Sequence, residues 1–318
     1  MHNRWADRGR FLALGIAAAA LSACATTAPT TSQTDCYPYI FLDSRYAIQG
    51  TSPVSGTPAD GNCYYFTYQN GRITRVDHRR GGSLSPAPTS GVATIRVEQV
   101  DGAEKRVFLD ATGNPVSDHN GLSGIMLRYD GKGNPVEWRN LGPGDRLKEA
   151  ADSGLAMFRW KYDAHGQPIE VQHFGANGQL KADRRLGVAG VRWEYDGDGN
   201  TIAESYFGPD GRPTVDWLRG VAAVRWQYGS NGKTVEERYL GPDGQLREDR
   251  NRGVAIVRWQ YDDNRNTLEE RYLGTDQRLR ADRRQGVAII RWQYDGQGRE
   301  IDTRMFDLNG SPVSRPRR

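Results

Sequence analysis

The feature that most constrains this chain is a short motif that returns at a fixed interval. Between residues 159 and 292 the dipeptide Arg-Trp occurs five times, and each copy follows the previous one after 33 residues. The copies are Arg159-Trp160, Arg192-Trp193, Arg225-Trp226, Arg258-Trp259 and Arg291-Trp292. A fixed period of this kind predicts one supersecondary unit that stacks on copies of itself. Counted from Gly121, the six repeats are 121–153, 154–186, 187–219, 220–252, 253–285 and 286–318.

The residues of each repeat predict a β-hairpin. Residues 254–261 alternate between two sides and are rich in β-branched and aromatic types, and they show no helical spacing. A tight turn with a glycine follows, then a second strand such as 235–240, then a Gly-Pro-Asp-Gly turn such as 241–244. The 38 glycines and 15 prolines of the chain suit many short strands joined by turns.

A polar connector such as 246–252 ends each repeat, and its sequence leaves open a short third strand or a helical turn. Ankyrin repeats share the 33-residue length, but their Thr-Pro-Leu-His signature is missing and glycine interrupts every candidate helix. We therefore predict an all-β fold, an elongated stack of antiparallel β-hairpin repeats. Both a β-solenoid-like stack and an extended twisted sheet remain open.

The N-terminus has the composition of a targeting segment. Arg4, Arg8 and Arg10 precede an apolar stretch over 11–23, which is too short to span a bilayer. The stretch ends in Leu-Ser-Ala-Cys at 21–24, which resembles the lipobox of bacterial lipoproteins. The resemblance implies a signal peptide over 1–23 that is removed, and a Cys24 that carries acyl groups such as palmitate. It also implies a lipid-anchored protein of the cell outer membrane that faces the periplasm, since the residue after Cys24 is alanine and not aspartate.

The segment between this anchor and the repeats divides into three parts. Residues 24–35 are rich in Thr and Ser and predict a flexible tether. Residues 36–90 predict an N-terminal cap in which Cys36 and Cys63 form a disulfide, because the periplasm is oxidising. Residues 91–120 share the Gly-Val-Ala opening of later repeats and predict a degenerate repeat, as is common at the end of a stack.

A tyrosine-aspartate pair opens the turn of most repeats. The pairs are Tyr129-Asp130, Tyr162-Asp163, Tyr195-Asp196, Tyr261-Asp262 and Tyr294-Asp295. With their turn glycines they resemble the YD repeats of RHS-type bacterial proteins over 121–318. The pattern departs from that family where Gly229 replaces the aspartate and Arg265 replaces a turn glycine. The resemblance implies the strand-turn-strand repeat and is not extended to encapsulation of a cargo.

The charge balance argues against nucleic acid as a partner. The chain has 43 Lys and Arg against 39 Asp and Glu, a net charge of +4. Cleavage after residue 23 would remove three arginines and one aspartate and lower this charge to +2. Such a small excess does not give the basic surface that nucleic-acid binding needs.

Two rows of side chains recur along the stack and supply the candidate sites. The arginine row, Arg159, Arg192, Arg225, Arg258 and Arg291, is the candidate binding face. The tryptophan row, Trp160, Trp193, Trp226, Trp259 and Trp292, lies on the opposite side of the same strands, and we expect it to fill the core. Depending on register, the acids opposite the arginines are Glu170, Glu236, Glu269 and Asp302, or Glu204, Glu237 and Glu270.

Catalytic and metal sites find little support in the sequence. The five histidines share no repeat position, and motifs of nucleophilic or metal catalysis are missing. We expect the pair Asp77-His78 on the surface. The connector aspartates (Asp183, Asp216, Asp249 and Asp282) are expected to cap turns and not to bind calcium. We therefore expect a protein that is not an enzyme and has no cofactor or metal.

These observations predict a lipid-anchored cell-envelope repeat protein that acts as a protein-binding or scaffold module. One alternative is an immunity lipoprotein that neutralises a toxin delivered to the periplasm. A second alternative is a binder of cell-wall or lipopolysaccharide glycan that uses the tryptophan row and the tyrosines beside it on the same strands. The expected partners are the membrane, through the acylated Cys24, and a protein of the envelope.

Overall fold

The structure is a computed structural model that describes residues 31–33, 35–54, 58 and 61–313. The predicted signal peptide at 1–23, the lipidation site Cys24 and the first part of the tether lie outside the described residues. The chain divides into two compact units. The first runs to Trp160 and includes Gly175–Gly178, and the second holds Lys161–Phe174 and the residues from Gln179 onward. In the described part of the chain, no helix is long and apolar enough to cross a membrane.

The predicted fold class is confirmed, because the described residues form antiparallel strands joined by turns. One short 3-10 turn, Pro143–Asp145, takes the place of a Gly-Pro-Asp-Gly turn. The strands form where β-branched and aromatic residues alternate with polar ones, and they end at turns that contain glycine. At most of these glycines φ is positive, as at Gly199 (φ 81°), a conformation that residues with a Cβ rarely adopt.

The first unit is built from the cap, the degenerate repeat and the first full repeat. Its strands, the last of which continues into the second unit, are β1 (Thr31–Gln33), β2 (Ile40–Leu42), β3 (Ile48–Gly50), β4 (Asn62–Gln69), β5 (Arg72–Arg80), β6 (Ser83–Leu84), β7 (Thr94–Val100), β8 (Ala103–Leu109), β9 (Gly124–Tyr129), β10 (Pro135–Leu141) and β11 (Met157–Tyr162). Strand β5 pairs with β4 and β7, and β7 to β11 then pair in chain order. Strands β2 and β3 form a separate hairpin.

The structure confirms the predicted disulfide of the cap and corrects the prediction for the tether before it. Cys36 and Cys63 form the predicted disulfide, and Phe66 and Val76 form a small core beside it. The prediction of a flexible tether over 24–35 is wrong for Thr31–Gln33, because this segment pairs with β4. Backbone pairing along the free edge of β4 gives this segment hydrogen bonds that its polar composition does not reveal.

The second unit repeats one hairpin along the chain. Its strands are β12 (Pro168–Phe174), β13 (Gly190–Tyr195), β14 (Thr201–Phe207), β15 (Ala223–Tyr228), β16 (Thr234–Leu240), β17 (Ile256–Tyr261), β18 (Thr267–Leu273), β19 (Ile289–Tyr294), β20 (Glu300–Phe306) and β21 (Pro312–Val313). Each strand pairs antiparallel with the next one. A register shift lies just before the turn of each hairpin, as between Gln227 and Tyr228.

The connector forms no third strand and ends in a single helical turn, in which the N–H of Gly253 donates a hydrogen bond to the backbone oxygen of Asp249 (2.9 Å). A single bridge between Leu240 and Leu246 begins it, and a turn capped by a buried aspartate ends it. The Asp249 carboxylate accepts hydrogen bonds from the backbone N–H groups of Asn251 (2.9 Å), Arg252 (2.9 Å) and Val254 (3.3 Å). The predicted turn-capping role of the connector aspartates is therefore observed, and it satisfies amides that the tight turn leaves without backbone partners.

The apolar cluster that runs along the second unit lies on one side of its sheet. Valines at one repeat position (Val188, Val221, Val254 and Val287) are fully buried and pack against Tyr206, Tyr239 and Tyr272. Each buried valine contributes about 1.5–3 kcal/mol relative to an exposed one. The stacked repeats thus bury a continuous apolar strip. The other side of the sheet carries polar residues together with a smaller buried cluster that includes Ile256 and Leu273.

Candidate functional site

In the second unit, the two predicted rows lie on opposite faces of the sheet. Arg192, Arg225, Arg258 and Arg291 share one face, which we call the charged face, and their side chains are about half exposed. Trp193, Trp226, Trp259 and Trp292 lie on the other face, the core face, and are half-buried. Arg159 and Trp160 belong to the first unit, where Arg159 is also about half exposed.

The register decides which acids stand opposite the arginines. Glu170 pairs with Arg192, Glu236 with Arg258 and Glu269 with Arg291, each on the neighbouring strand. The other set of acids that the sequence left open (Glu204, Glu237 and Glu270) lies opposite tryptophans on the core face. In the first unit, Glu137 stands opposite Arg159 in the same way.

Each of these glutamates holds two cations. The Glu236 carboxylate accepts a hydrogen bond from Nε of Arg258 (2.5 Å) through one oxygen and from Nε of Arg238 through the other. Its side chain is only 8% exposed. Glu269 binds Arg291 (2.7 Å) and Arg271 in the same way. The charged face therefore carries arginines whose orientation is fixed by buried carboxylates.

The environment of these glutamates keeps them ionised. Burial by itself raises the pKa of Glu236, but the hydrogen bonds and positive charges of Arg258 and Arg238 outweigh it and leave the pKa lowered. The same balance lowers the pKa of Glu170 and Glu269. The contribution of these pairs to stability is thus present above the ordinary pKa of a glutamate and is lost as the pH falls through the lowered value.

Arg225 is the exception in the arginine row. The residue opposite it is the buried Ala203 where the neighbouring repeats have glutamate. The carboxylate near Arg225 is that of Glu194, whose Oε2 lies 3.7 Å from Nη1 of Arg225. Glu194 lies on β13, on the far side of the strand that holds Ala203. Glu194 is 59% exposed and stands directly opposite Ala203. The positions equivalent to 194 are glutamine in the following repeats. Repeat 187–219 therefore has its acid at the exposed position 194 and not at the buried position 203.

Beside Arg225 the charged face has a cavity of about 160 Å³, which we call the notch. Its lining includes Arg192, Ser205, Phe207, Arg225 and Pro242. A second cavity, of about 430 Å³, is lined by Arg258, Glu269, Arg271, Leu273 and Leu279, among others. Four of these residues, Arg258, Arg271, Leu273 and Leu279, lie 66 residues, two repeats, after residues of the notch lining. The two cavities thus share equivalent lining positions two repeats apart, and they differ in their charged side chains.

The core face carries a second polar network with a structural role. In repeat 187–219, Glu204 accepts hydrogen bonds from Nε1 of Trp193 (3.1 Å) and from the hydroxyl of Tyr206. One repeat later, burial raises the pKa of Glu237, and the nearby Arg219 and Arg252 oppose that effect. These half-buried acids anchor the aromatic side chains of the core face.

Tyrosine hydroxyls tie successive repeats together on the core face. The Tyr228 hydroxyl donates to the backbone oxygen of Thr201 (2.8 Å), and that of Tyr261 donates to Thr234 (2.7 Å). Tyr195 and Tyr294 make the same contact to residues 27 positions earlier. Together with the half-buried tryptophans, these bonds favour a structural role for the aromatic residues.

Two histidines of the described residues, His78 and His173, are buried. The expectation that Asp77 and His78 are on the surface is wrong, since they are 5% and 2% exposed. Asp77 is buried because it accepts hydrogen bonds from Thr94 (2.6 Å) and Arg75 (2.7 Å) in the sheet of the first unit. In the second unit, burial lowers the pKa of His173. Within the described ranges, His, Cys, Asp and Glu form no cluster of three that fits a metal ion.

Comparison with known proteins gives matches to solved structures. Neither the protein-family models nor the curated proteins match this chain. Among solved structures, it is similar to a chain of the Photorhabdus luminescens Tc holotoxin pore with a substitution in TccC3. The TM-score is 0.33 and the identity 11%, over 79% of this chain and 12% of that one. A crystal structure of TcdB2-TccC3 matches with a TM-score of 0.22 and 13% identity, over 77% of this chain and 16% of that one. This chain therefore spans less than a fifth of either, and scores this low carry no argument.

Proposed function

We propose that this chain is a lipid-anchored protein-binding module of the cell envelope, and that the charged face of the second unit is the surface that binds. The anchor rests on the lipobox resemblance at 21–24. The observation that carries the binding surface is the pairing of Arg192, Arg258 and Arg291 with buried glutamates, each through Nε. A guanidinium held in this way loses little conformational freedom on binding, which favours association.

The charge of the face selects the chemistry of the partner. Glu236 and Glu269 each hold two arginines, so that each group has an excess of one positive charge. Guanidinium groups recognise carboxylates through paired hydrogen bonds. The partner on this account presents acidic side chains, and its binding weakens as salt rises.

The spacing of the arginines suits a regular partner. Consecutive arginines of the row lie two strands apart, which places them about 10 Å from each other. Acidic side chains two turns apart on a helix are separated by about the same distance. An acidic helix laid across the strands would therefore meet one arginine with every second turn.

The two alternatives differ in their support. An immunity lipoprotein would use the same face, with a toxin as its partner, so the identity of the bound protein separates it from a scaffold. Glycan binding through the tryptophan row has less support, because the neighbouring tyrosine hydroxyls are bonded to backbone oxygens and the tryptophans are half-buried.

Charge reversal at Arg225 tests the proposal with little risk to the fold. At Arg258 a new acid would meet the buried Glu236, whereas Arg225 stands opposite Ala203. The tagged full chain is used to capture proteins from native envelopes at low salt. We expect Arg225→Glu to lose the captured protein, while Arg284→Glu, a matched reversal on an exposed connector turn, retains it. Equal retention by both variants would refute the binding surface.

A further inference from the structure

The notch is the place where the repeated pattern of the charged face is broken. Two side chains differ from the repeats that follow, Ser205, which lines the notch, and Ala203, which stands opposite Arg225. Ala203 stands where Glu236 and Glu269 stand, and Ser205 stands where Arg238 and Arg271 stand. The notch thus lacks both the buried carboxylate and the second arginine that the equivalent positions carry one and two repeats later.

The arginines beside the notch are held in different ways. Arg192 is fixed by Glu170 (2.7 Å) and lies over the ring of Phe207, with its guanidinium carbon 4.3 Å from the ring centre. Arg225 has its carboxylate neighbour Glu194 at 3.7 Å, which is longer than a hydrogen bond, and its side chain is 54% exposed. Its guanidinium is therefore open to a closer carboxylate.

The notch has the size and lining for a short acidic side chain. A volume of about 160 Å³ holds several water-sized groups, which is enough for a carboxylate and its methylene groups. Phe207 and Pro242 give apolar contacts for the methylene groups, and Arg192 and Arg225 give positive charge for the carboxylate. Charge-assisted hydrogen bonds from guanidinium groups are among the stronger ones in proteins.

We infer that the notch binds the carboxylate side chain of an aspartate or glutamate that a protein partner presents. This acid takes the place, against Arg225, that Glu236 takes against Arg258. The inference rests on the proposed function and adds to it the residue type that is recognised and the position where it binds. A repetitive face can bind a regular partner in several registers. One arginine without a buried glutamate, among others that have one, selects a single register.

A titration with acetate tests the notch directly. The full chain, deuterated and labelled with 15N in its arginines, is followed through the Nε–Hε signals at constant ionic strength. We expect the Arg225 signal to shift and saturate, with the Arg258 signal as an internal control that does not. In the double variant Glu194→Gln with Ala203→Glu, which gives these two positions the residues of the next repeat, we expect acetate to bind about tenfold more weakly. Arg225→Gln removes the guanidinium without adding a charge and is the second variant.

The outcomes separate the inference from the proposed function. Equal shifts at Arg225 and Arg258, or tighter binding of inorganic phosphate than of acetate, overturn the carboxylate site. If the double variant captures the same envelope protein as the wild type, the inference fails and the proposed binding surface stands. If acetate binds at Arg225 but wild type captures no protein, the proposed function fails, and with it the protein source of the carboxylate. Loss of capture in the double variant supports both.

Discussion

Restoring the missing glutamate of repeat 187–219 should stabilise the protein. The double variant Glu194→Gln with Ala203→Glu gives this repeat the residues that the next one has at Gln227 and Glu236. The new carboxylate would stand opposite Arg225 in the register that places Glu236 opposite Arg258. A cross-strand charge pair contributes roughly 0.2–1 kcal/mol. The burial of position 203 should increase this contribution. We expect a gain of about 1 kcal/mol in the free energy of unfolding, measured by urea denaturation.

The two single variants show how each substitution alone changes the free energy of unfolding. Ala203→Glu alone places the new carboxylate directly opposite Glu194, and the two like charges should cancel the gain. Glu194→Gln alone removes a long ion pair between two exposed side chains, which should change stability by less than about 0.5 kcal/mol. A single Ala203→Glu variant as stable as the double variant would refute the register.

The gain should also depend on pH in a defined direction. Hydrogen bonds and charges of Arg258 and Arg238 outweigh burial and leave the pKa of Glu236 lowered. Arg225 would act in the same direction on the new glutamate, without a second arginine, because Ser205 stands at that position. A group with a lowered pKa stabilises the folded state above its ordinary pKa of about 4.3 and loses that effect as the pH falls. The double variant should therefore be more stable than wild type at about pH 7, and the difference should shrink as the pH falls below the ordinary pKa of a glutamate. A difference that persists in acid would contradict the charge-pair explanation.

Three further predictions concern the fold. Tyr261→Phe removes the hydroxyl that bonds to the preceding repeat and should cost about 0.5–1.5 kcal/mol in urea unfolding, whereas no change would show that the bond is not needed. Asp249→Ala leaves buried turn amides without an acceptor and should cost about 1–3 kcal/mol, while Asp243→Ala, in an exposed turn, is the matched control with a smaller effect. Replacing Cys36 and Cys63 by serine opens a loop with a sequence separation of 27 residues and should cost about 3.5 kcal/mol, and an unchanged urea midpoint would contradict this.

The hairpin fold was predictable because the sequence of each repeat contains its own strand and turn signals. Alternation along 254–261 and glycines in the turns define the strands and their ends, and the structure places β17 at Ile256–Tyr261. Repetition supports this inference, since six copies of the same pattern leave little room for chance. The disulfide was predictable from the count of cysteines that remain after Cys24.

The register and the connectors were not predictable from the sequence. Alternation alone allowed Glu236 or Glu237 to face the arginines, because they are adjacent and a slip of one residue exchanges the two faces. The bulge between Gln227 and Tyr228 shifts the pairing inside the hairpin, and no residue type marks it. The connectors depend on a single buried aspartate that organises amides several residues away, which a search for strands or helices does not detect.

The open position at Arg225 was visible in the sequence but was missed. Aligning the repeats shows alanine at 203 where the neighbouring repeats have glutamate, and glutamate at 194 where the later ones have glutamine. Only the register shows that these two positions face each other and Arg225. In a chain of nearly identical repeats, the position that differs is the first one to examine for function.

Photo-cross-linking in the native envelope tests the central claim most directly. A photoreactive amino acid is placed at Gln227 or Gln260, which are exposed on the charged face, and at the exposed Asn251 in a connector turn as a control. We predict a covalent adduct with the same protein from Gln227 and Gln260 and none from Asn251. Adducts from Asn251 alone, or from no position, would contradict a protein-binding function of the charged face.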